Sequence, residues 1–460
     1  MTDNYLSKAT LFSFVGLRNG AFSLLMNKGF IFWCFLFYMG LRVAILFVAP
    51  THQSSDFLWY YERGVAIATG EGYSENGVPT AFWPVGWPGL LGILFWLLGA
   101  HALVGVLANL VFAALTFLLT VAIAQRFFGD HLVARIVVLL LAIYPNQIAY
   151  IPALATEPFY EFLLLLAVWL LSKERIGWAL FAGIVFGAAS LTKAQTPPLP
   201  VVLLCGMWLL ARPRPRIRTL MPRVAGVVIA MLLVIAPWTI RNYEVLGAFI
   251  PISTNGGPTL LGGNNPSATG DGAERDELLD ALSHDPRRQV AMDRLARAEA
   301  WHWIAGHPFL FAELLPRKLW YLWTRDGEGE WLFEWGYPGF AAYKPIFSLI
   351  RIINQLYYFA LLALAAISLV SAARRFRRLS PWALSGWVLV AYFTAISLVF
   401  SGQSRFHYPL MPWIAMYAAM AIAPWLRANN ADVASELPTA GDHPQPDLCF
   451  TNTEEDVRAG

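Results

Sequence analysis

Two carboxylates stand at predicted helix starts, where either could act as an acid or a base. Asp56, in SSDFLWYYERG, begins a helix just after the first apolar segment, and Tyr60 and Glu62 follow it on that helix. Neighbouring aromatic rings would partly shelter the Asp56 carboxylate, which suits a general base. The alternative is a residue that only favours the helix dipole, with Ser54 or Ser55 as the N-cap.

Glu157, in ALATEPFYEF, is the second carboxylate. Pro158 suits a first helical position and Thr156 a cap, so Glu157 is expected on the same outer surface as Asp56. Stabilisation by the helix N-terminus would explain Glu157 equally well. Glu161, one turn further along, would lie inside an apolar helix, where a charge needs a partner or a water-filled cavity.

Cations near the ends of apolar segments could hold an anion such as a phosphate. Arg405, His407 and Tyr408 stand together in SGQSRFHYPLMPW, and Arg can bind two phosphate oxygens at once. An ordinary interfacial belt of such side chains is the alternative. Further cations within or beside apolar segments are Lys193, Arg42 and Arg351. Arg42 is expected to face the bundle interior or to extend its charged end towards water. Extension towards water would also account for the positions of Lys193 and Arg351 without a phosphate ligand.

The elements that position these residues must belong to a membrane protein. Of 460 residues, 57% are hydrophobic and 14% are charged, and the mean hydropathy is +0.51. These values exclude a soluble globular enzyme and a largely disordered chain. A net charge of +3, with basic residues scattered between apolar segments, excludes a nucleic-acid partner. Cys34, Cys205 and Cys449 predict no disulfide framework.

Ten apolar segments are each predicted to cross the membrane as a helix. Their approximate bounds are 30–50, 102–125, 132–150, 158–172, 176–192, 198–212, 222–240, 346–371, 382–400 and 407–426. The apolar segment from Pro84 to Gly99 is too short to cross a hydrocarbon core of about 30 Å. We interpret it as a helix along the outer interface, anchored by Trp83, Trp87 and Trp96.

Basic residues set the predicted orientation. With ten spans, most Lys and Arg residues of the short connections fall in segments that the positive-inside rule assigns to the cytoplasm. A cytoplasmic N-terminal segment, 1–29, and a disordered cytoplasmic tail, 427–460, would then flank a transmembrane domain, 30–426. The loops 51–101 and 241–345 would lie on the periplasmic or extracellular side of the inner or plasma membrane.

The two outer loops carry predicted elements of their own. Loop 51–101 should contain an amphipathic helix from Asp56 to Thr69, then the Gly-rich turn region GEGYSENG and the interfacial helix. Loop 241–345 should begin with turns and continue as a helix at about 274–305. The apolar residues expected to be buried on that helix are Leu278, Leu282, Met292, Leu295 and Trp301.

In this order, the segments resemble the multi-pass glycosyltransferases of the GT-C class, in particular the dolichyl-phosphate-mannose protein mannosyltransferase and aminoarabinose transferase-like group. The likeness covers most of 30–426. It is carried by SSDFLWYYERGVAIATGEGY, PTAFWPVGWPGLLGILFWLLG, YPNQIAYIPALATEPFYEFLLLLAVWLL, GAASLTKAQTPPLP, PWTIRNYEVLGAFIPISTNGGPTLLGGNNPSATG and RFHYPLMPWIAMYAA. The resemblance implies an all-α polytopic membrane protein, a GT-C-like bundle of about ten transmembrane helices with juxtamembrane helices and a larger outer loop.

The resemblance also implies an activity. The donor would be a polyprenyl phosphate that carries one sugar, and the acceptor a glycan, a lipid or a protein at the outer face of the membrane. Asp56 would be the catalytic base and Glu157 a supporting residue, with inversion at the sugar in a single displacement. The donor phosphate would contact Arg405, His407, Tyr408, Lys193, Arg42 and Arg351. Residues of the acceptor site or its loop would be Tyr60, Glu62, Asn255 and Asn264.

An activated donor makes a further cofactor unnecessary, and no metal ligands are assigned. Several relatives have two acidic residues side by side in the first outer loop, whereas here Phe57 follows Asp56. That departure leaves the involvement of a metal ion open.

Two other functional classes stay open on the sequence. A lipid-sugar flippase or another transporter would also use charged residues and about ten spans, but it should place charges near the bilayer midplane and often contains internal repeats. A noncatalytic scaffold would use loop 241–345 to bind a partner protein. The concentration of the charged candidates on one predicted face favours the enzyme.

Overall fold

The computed structural model describes residues 25–271, 285–375 and 380–436. Its regular structure is helical apart from one short hairpin, which confirms the expected all-α class. Residues Leu25–Ala423 form one compact unit. A second unit, Met1–Leu24 with Pro424–Gly460, is described only at 424–436. Most of the predicted N-terminal segment and tail, with Cys449, therefore lies outside the described residues.

Loop 51–101 has nearly the predicted elements. Helix α1 (Phe30–Val48) is followed by α2 (Ser55–Ala68), an antiparallel hairpin of β1 (Ser74–Glu75) and β2 (Val78–Pro79), and α3 (Gly86–Leu98). The hairpin was not predicted. It turns at Asn76 and Gly77, whose φ angles are 52° and 74°, a conformation that these two residue types tolerate. Ser54 is the N-cap residue of α2, but its side chain makes no capping hydrogen bond.

Seven helices follow before the long outer loop. They are α4 (Ala102–Phe128), α5 (His131–Ala142), α6 (Pro145–Ala149), α7 (Thr156–Leu171), α8 (Ile176–Thr192), α9 (Leu199–Leu210) and α10 (Ile217–Leu246). Pro145 opens α6 and separates it from α5, because proline cannot continue a helix without losing a backbone hydrogen bond. The predicted span 132–150 is thus two helices. Thr156 is not the cap of α7, since Ala155 holds that position.

The remaining helices build the long outer loop and the last predicted spans. They are α11 (Gly256–Gly262), α12 (Gln289–Gly306), α13 (Pro308–Thr324), α14 (Glu328–Gly336), α15 (Phe340–Arg375), α16 (Ser385–Val399) and α17 (Met411–Glu436). Short 3-10 turns lie at Pro286–Arg288, Pro381–Leu384, Ser404–Phe406 and Tyr408–Leu410. The last two turns connect α16 to α17.

Six helical segments of the described residues are long and apolar enough to cross a membrane: Phe30–Val48, Ala102–Phe128, Ile217–Leu246, Phe340–Val370, Pro381–Val399 and Ser404–Ala428. Four other predicted spans are helices of 12, 16, 17 and 12 residues, namely α5, α7, α8 and α9. All ten predicted spans therefore contain a helix, and six of them reach the length of a crossing. Segment α3, with 13 residues, stays short as predicted.

Glycines let α8 and α10 pack with their backbones close together. A Cβ on Gly183 would clash with the carbonyl oxygen of Val227, and one on Gly187 with the side chain of Val234. The two glycines are four residues apart on α8, the small-residue spacing that allows close helix contacts in membranes. Helix α8 in turn packs on α7, so this contact fixes the helices that carry Glu157 and Lys193.

Gln289 joins the two outer loops. Its buried side chain accepts hydrogen bonds from the backbone N–H of Ala81 (2.8 Å) and from the hydroxyl of Thr254 (3.2 Å). Its amide donates to the carbonyl oxygen of Pro79 (3.1 Å). Because a buried amide that loses its partners costs free energy, this junction fixes the start of α12 against the segment after β2.

The buried face of α12 differs in part from the prediction. Met292 is buried, but Leu295 and Trp301 are 47% and 53% exposed, so their predicted burial is wrong. The buried positions Ala296 and Ala300 show that small residues form the face that packs against α11. Leu278 and Leu282 lie outside the described residues.

Candidate active site

Asp56 and Arg405 form an ion pair although 349 residues separate them. A guanidinium nitrogen of Arg405 lies 3.0 Å from a carboxylate oxygen of Asp56, and both side chains are 30% exposed. Asp56 stands in the first turn of α2. Arg405 stands in the 3-10 turn Ser404–Phe406, the first of the two turns that precede α17. A carboxylate that is paired yet reachable from outside is a candidate general base.

A second ion pair joins Glu157 to Lys193. The Lys193 ammonium donates to the Glu157 carboxylate at 2.7 Å, and the two side chains are 17% and 4% exposed. Glu157 is in the first turn of α7, and Lys193 directly follows α8. Burial raises the pKa of Glu157, but the charge of Lys193, and then that of Arg405, outweighs it and holds the pKa below its usual value. Glu157 is therefore a carboxylate at neutral pH.

The two ion pairs belong to one cluster. The charge of Arg405 acts on Glu157, and that of Asp56 on Lys193. Tyr60, one turn after Asp56 on α2, faces the same charges. Burial, and then the Asp56 carboxylate, raises the pKa of the Tyr60 phenol well above its usual value, so Tyr60 is neutral and can donate a hydrogen bond. Asp56, Tyr60, Glu157, Lys193 and Arg405 are hereafter the charged cluster.

Arg405 has hydrogen-bonding capacity beyond Asp56. One guanidinium N–H contacts Asp56, and the Nε–H donates to the side-chain oxygen of Gln403 at 3.0 Å. A guanidinium has five N–H donors in a planar fork, so three are left by these two contacts. The cation in the charged cluster can thus hold a carboxylate and a second anion together.

Arg42 lies inside the bundle, away from the charged cluster's ion pairs. It is 1% exposed and donates to the backbone carbonyls of Tyr38 (3.1 Å) and Leu141 (3.2 Å). With Tyr408 and Glu161 it lines a small cavity of about 10 Å³. Of the two environments expected for Arg42, the interior one is therefore confirmed, and Glu161 has both a cavity and a partner.

Glu161 and Tyr408 are fixed by neighbours inside the bundle. The Gln147 amide donates to Glu161 at 2.7 Å. The Tyr408 ring packs on that of Tyr150, with centroids 4.5 Å apart. These contacts give Glu161 and Tyr408 a place in the packed interior between α1, α6 and α7.

His407 is buried and both its ring nitrogens are occupied. Nδ1 lies 2.6 Å from the carbonyl oxygen of Leu322, and Nε2 lies 3.1 Å from the carboxylate of Asp326. The imidazole is fully enclosed. The geometry therefore leaves His407 no nitrogen for a phosphate, and the motif RFHY contributes Arg405 alone to the charged cluster.

Arg351 forms an ion pair with a residue that is not part of the charged cluster. It is on α15, is 57% exposed and contacts Glu330 of α14 at 3.1 Å. Glu330 is buried, and burial raises the pKa of its carboxyl group to about 7 against the effect of Arg351. This ion pair joins the long outer loop to α15.

The remaining expected loop residues form contacts of their own. Glu62 is half exposed beside Arg63, at 3.4 Å. Asn255 precedes α11 and accepts a hydrogen bond from Ser253 at 2.7 Å. Asn264 is buried and accepts one from Lys318 at 2.7 Å. None of these contacts joins Glu62, Asn255 or Asn264 to the charged cluster.

Two residues that organise the site were missed from the sequence. Asp326 stands in the polar stretch TRDGEGE and Gln289 in a run of charged residues, so both read as solvated loop positions. Neither residue lies in a segment whose apolar periodicity or sequence motif would predict burial. In the residues that the structure describes, no group of three or more His, Cys, Asp or Glu side chains could hold a metal ion.

Comparison with known proteins bears on the fold. Residues 84–240 match the family model of dolichyl-phosphate-mannose-protein mannosyltransferase. No curated protein matches this sequence at a significant level. Among solved structures, the archaeal oligosaccharyltransferase AglB from Archaeoglobus fulgidus, in complex with an inhibitory peptide and a dolichol-phosphate, is similar with a TM-score of 0.55 and 14% identity. The alignment covers 90% of this chain and 52% of that one.

Two further structures give the range of similarity. The Archaeoglobus fulgidus oligosaccharyltransferase in complex with Zn and sulfate has a TM-score of 0.54 and 16% identity, over 88% of this chain and 50% of that one. ArnT from Cupriavidus metallidurans, bound to undecaprenyl phosphate, has a TM-score of 0.39 and 16% identity, over 86% and 79%. This chain thus spans about half the length of the oligosaccharyltransferases. Their shared architecture and the matching family segment confirm the resemblance found in the sequence: the chain is a multi-pass membrane protein with the GT-C fold.

Proposed function

We propose that the protein is a membrane glycosyltransferase that transfers one sugar from a polyprenyl-phosphate donor to an acceptor hydroxyl at the outer face of the membrane. The single observation that carries the proposal is the charged cluster, in which a half-sheltered carboxylate touches a cation with hydrogen-bonding capacity for a second anion. A lipid-linked sugar presents its phosphate at headgroup level while its tail stays in the bilayer. A site at the membrane boundary suits such a donor.

The charges of the cluster fit a single displacement with inversion. Asp56 takes the proton of the acceptor hydroxyl while the oxygen attacks the anomeric carbon. The bond from that carbon to the phosphate oxygen breaks, and the lipid phosphate leaves with the electron pair and one additional negative charge. Cations that already lie beside the phosphate stabilise this charge most in the transition state.

Arg405 links the two events. Asp56 loses its negative charge on protonation at the moment when the phosphate gains one, so the attraction of Arg405 shifts from the carboxylate to the leaving group. Lys193, held by Glu157, supplies the second positive charge. With two carboxylates and two cations, the cluster is electrically balanced before the donor enters.

The same proposal covers orientation and partners. The charged cluster would face the periplasm or the outside of the cell, with both termini in the cytoplasm and the chain in the inner or plasma membrane. The dolichol-phosphate bound to the similar archaeal oligosaccharyltransferase supports a lipid-phosphate ligand here. The acceptor would be a glycan, a lipid or a protein.

The test is transfer by the purified full-length protein in lipid nanodiscs. Polyprenyl-phosphate mannose and polyprenyl-phosphate aminoarabinose serve as donors, each with a panel of glycan, lipid and peptide acceptors. Asp56→Asn should lose at least a hundredfold in rate. Glu71→Gln, which changes an exposed carboxylate of loop 51–101, is the matched control and should retain the wild-type rate.

Normal turnover by folded Asp56→Asn would overturn the assigned base. A lipid-sugar flippase would instead move a fluorescent polyprenyl-phosphate sugar between leaflets of a vesicle without making a product. Movement without transfer by the wild type would favour that alternative function over the enzyme.

A further inference from the structure

The buried carboxyl group of Asp326 has four polar partners, one of which is His407, two residues after Arg405. One oxygen of Asp326 accepts from the Asn146 amide (2.6 Å) and faces His407 Nε2 (3.1 Å). The other accepts from the Tyr144 hydroxyl (2.6 Å) and the Asn354 amide (3.0 Å). The partners come from the α5–α6 junction, from α15 and from the turn before α17. Asp326 therefore ties three separate elements to the end of α13.

The orientation of both amides is fixed independently. The side-chain oxygen of Asn146 accepts from the backbone N–H of Gly329 at 3.2 Å, and that of Asn354 from the backbone N–H of Asn146 at 3.0 Å. Each amide oxygen faces a backbone donor, so the NH₂ group of each must be the part that points at Asp326. Each oxygen of Asp326 therefore faces two polar groups in fixed positions.

Both ring nitrogens and the ring faces of His407 have defined neighbours. Nδ1 lies 2.6 Å from the carbonyl oxygen of Leu322, which cannot donate, so Nδ1–H is the donor in that hydrogen bond. Nε2 lies 3.1 Å from a carboxylate oxygen of Asp326. The rings of Trp323 and Tyr358 stack on the imidazole with centroids 5.6 and 5.0 Å away.

We propose that the buried contact between Asp326 and His407 positions Arg405 over Asp56. His407 closes the turn that carries Arg405, since its backbone N–H donates to the carbonyl oxygen of Ser404 at 3.1 Å. A guanidinium on so short a turn moves with the backbone, and the contact fixes that backbone to the long outer loop. Both are positioning residues, and the inference rests on the proposed phosphate role of Arg405.

The inference adds a route from the long outer loop to the charged cluster. Asp326 lies between α13 and α14, so a movement of these helices acts on the turn of Arg405 through the contact between Asp326 and His407. A bound acceptor that moves this part of the loop would change the position of the cation that holds the donor phosphate.

Binding of undecaprenyl phosphate to the full-length protein in nanodiscs, measured by native mass spectrometry, tests this. His407→Phe keeps the stacked ring but removes both ring nitrogens, and His407→Gln restores a polar side chain with N–H donors. We expect about tenfold weaker binding for His407→Phe, a partial recovery for His407→Gln and a loss of similar size for Arg405→Ala. His302→Phe, an exposed histidine of α12, is the matched control and should bind normally.

The double variant Arg405→Ala/His407→Phe separates positioning from a general structural effect. If His407 acts through Arg405, the double variant should bind no more weakly than Arg405→Ala alone. If the losses of affinity in the two single variants multiply in the double variant, the inference is wrong. It is also wrong if His407→Phe binds normally while Arg405→Ala binds weakly. Normal binding by Arg405→Ala would instead refute the phosphate role in the proposed function. Should His407→Phe not fold, the pair His407→Gln and Arg405→Ala/His407→Gln decides the same question.

Discussion

At the scale of residues, the charged cluster depends on pairs whose members stabilise each other. Glu157 is almost fully buried, and its charge is tolerable there because Lys193 lies 2.7 Å away. Breaking a buried pair from one side leaves an uncompensated charge, which costs about 3–5 kcal/mol, whereas replacing both members is often nearly neutral. We therefore expect that replacing both members of the pair gives a more stable protein than replacing Lys193 alone.

Lys193→Met should lower the unfolding free energy by about 3 kcal/mol, because Glu157 is then buried without its cation. Glu157→Gln/Lys193→Met should recover most of that stability, while donor transfer stays impaired in both variants, since the second cation of the cluster is absent. Melting temperatures in nanodiscs, with transfer rates for the same preparations, provide the comparison. A double variant less stable than Lys193→Met would contradict the buried pair.

Glu330 predicts a pH dependence of stability. Its folded pKa of about 7 exceeds the ordinary value of 4.5, so the folded state keeps a proton that the unfolded state releases. The resulting stability is fully present below about pH 4.5 and is lost as the pH rises through 7, a change of up to about 3 kcal/mol. Glu330→Gln should remove this component of the melting profile between pH 4.5 and 7.5.

The exposed Glu334 on the same helix provides the control for that profile. Glu334→Gln should leave the wild-type slope unchanged. A Glu330→Gln profile as steep as that of the wild type would show that other groups cause the dependence.

The sequence located the acidic candidates but not all of their partners. Asp56, Glu157 and Arg405 were expected on one surface, and the structure brings them into one cluster. Arg42 and His407 were predicted from the sequence to contact the phosphate, as Arg405 was. In the structure they contact Leu141 and Asp326 instead, and only the fold brings these residues near. A charge in an apolar segment signals that a partner exists, but not which residue provides it.

At the scale of elements, the length and periodicity of the apolar segments predicted the helices well. The positions at which one helix ends and the next begins were harder to predict. All ten expected spans contain a helix, but Pro145 ends one of them early. The hairpin at β1 and β2 has only two residues in each strand, too few for an alternating pattern. Leu295 and Trp301 are apolar residues on the exposed side of α12, where burial cannot be read from residue type.

The contact between α8 and α10 allows a matched test with one type of substitution. Gly183→Ala should lower the unfolding free energy by about 1–3 kcal/mol, since the added Cβ meets the backbone of α10 and the helices must move apart. Gly177→Ala, at the start of the same helix, meets no atom within 4 Å and should leave the melting temperature unchanged or slightly higher. Equal effects of the two substitutions would argue against close packing.

At the scale of the whole molecule, the ion pairs constrain how the chain crosses the membrane. Two residues in contact outside the bilayer must be separated by an even number of crossings. The ten expected spans place two crossings between Asp56 and Glu157, two between Glu157 and Lys193, and four between Lys193 and Arg405. Counting α3 as a crossing would place Asp56 and Glu157 on opposite sides, which disagrees with the action of Arg405 on both.

Cysteine labelling with a membrane-impermeant maleimide tests this arrangement in intact cells. In a background without the native cysteines, Glu71→Cys and Arg288→Cys should react from outside, because both exposed positions belong to the outer loops. Arg216→Cys should react only after permeabilisation, since its basic surroundings are assigned to the cytoplasm. If α3 crossed the membrane, Glu71→Cys and Arg288→Cys would react on opposite sides, and a charged cluster confined to the outer face would be impossible.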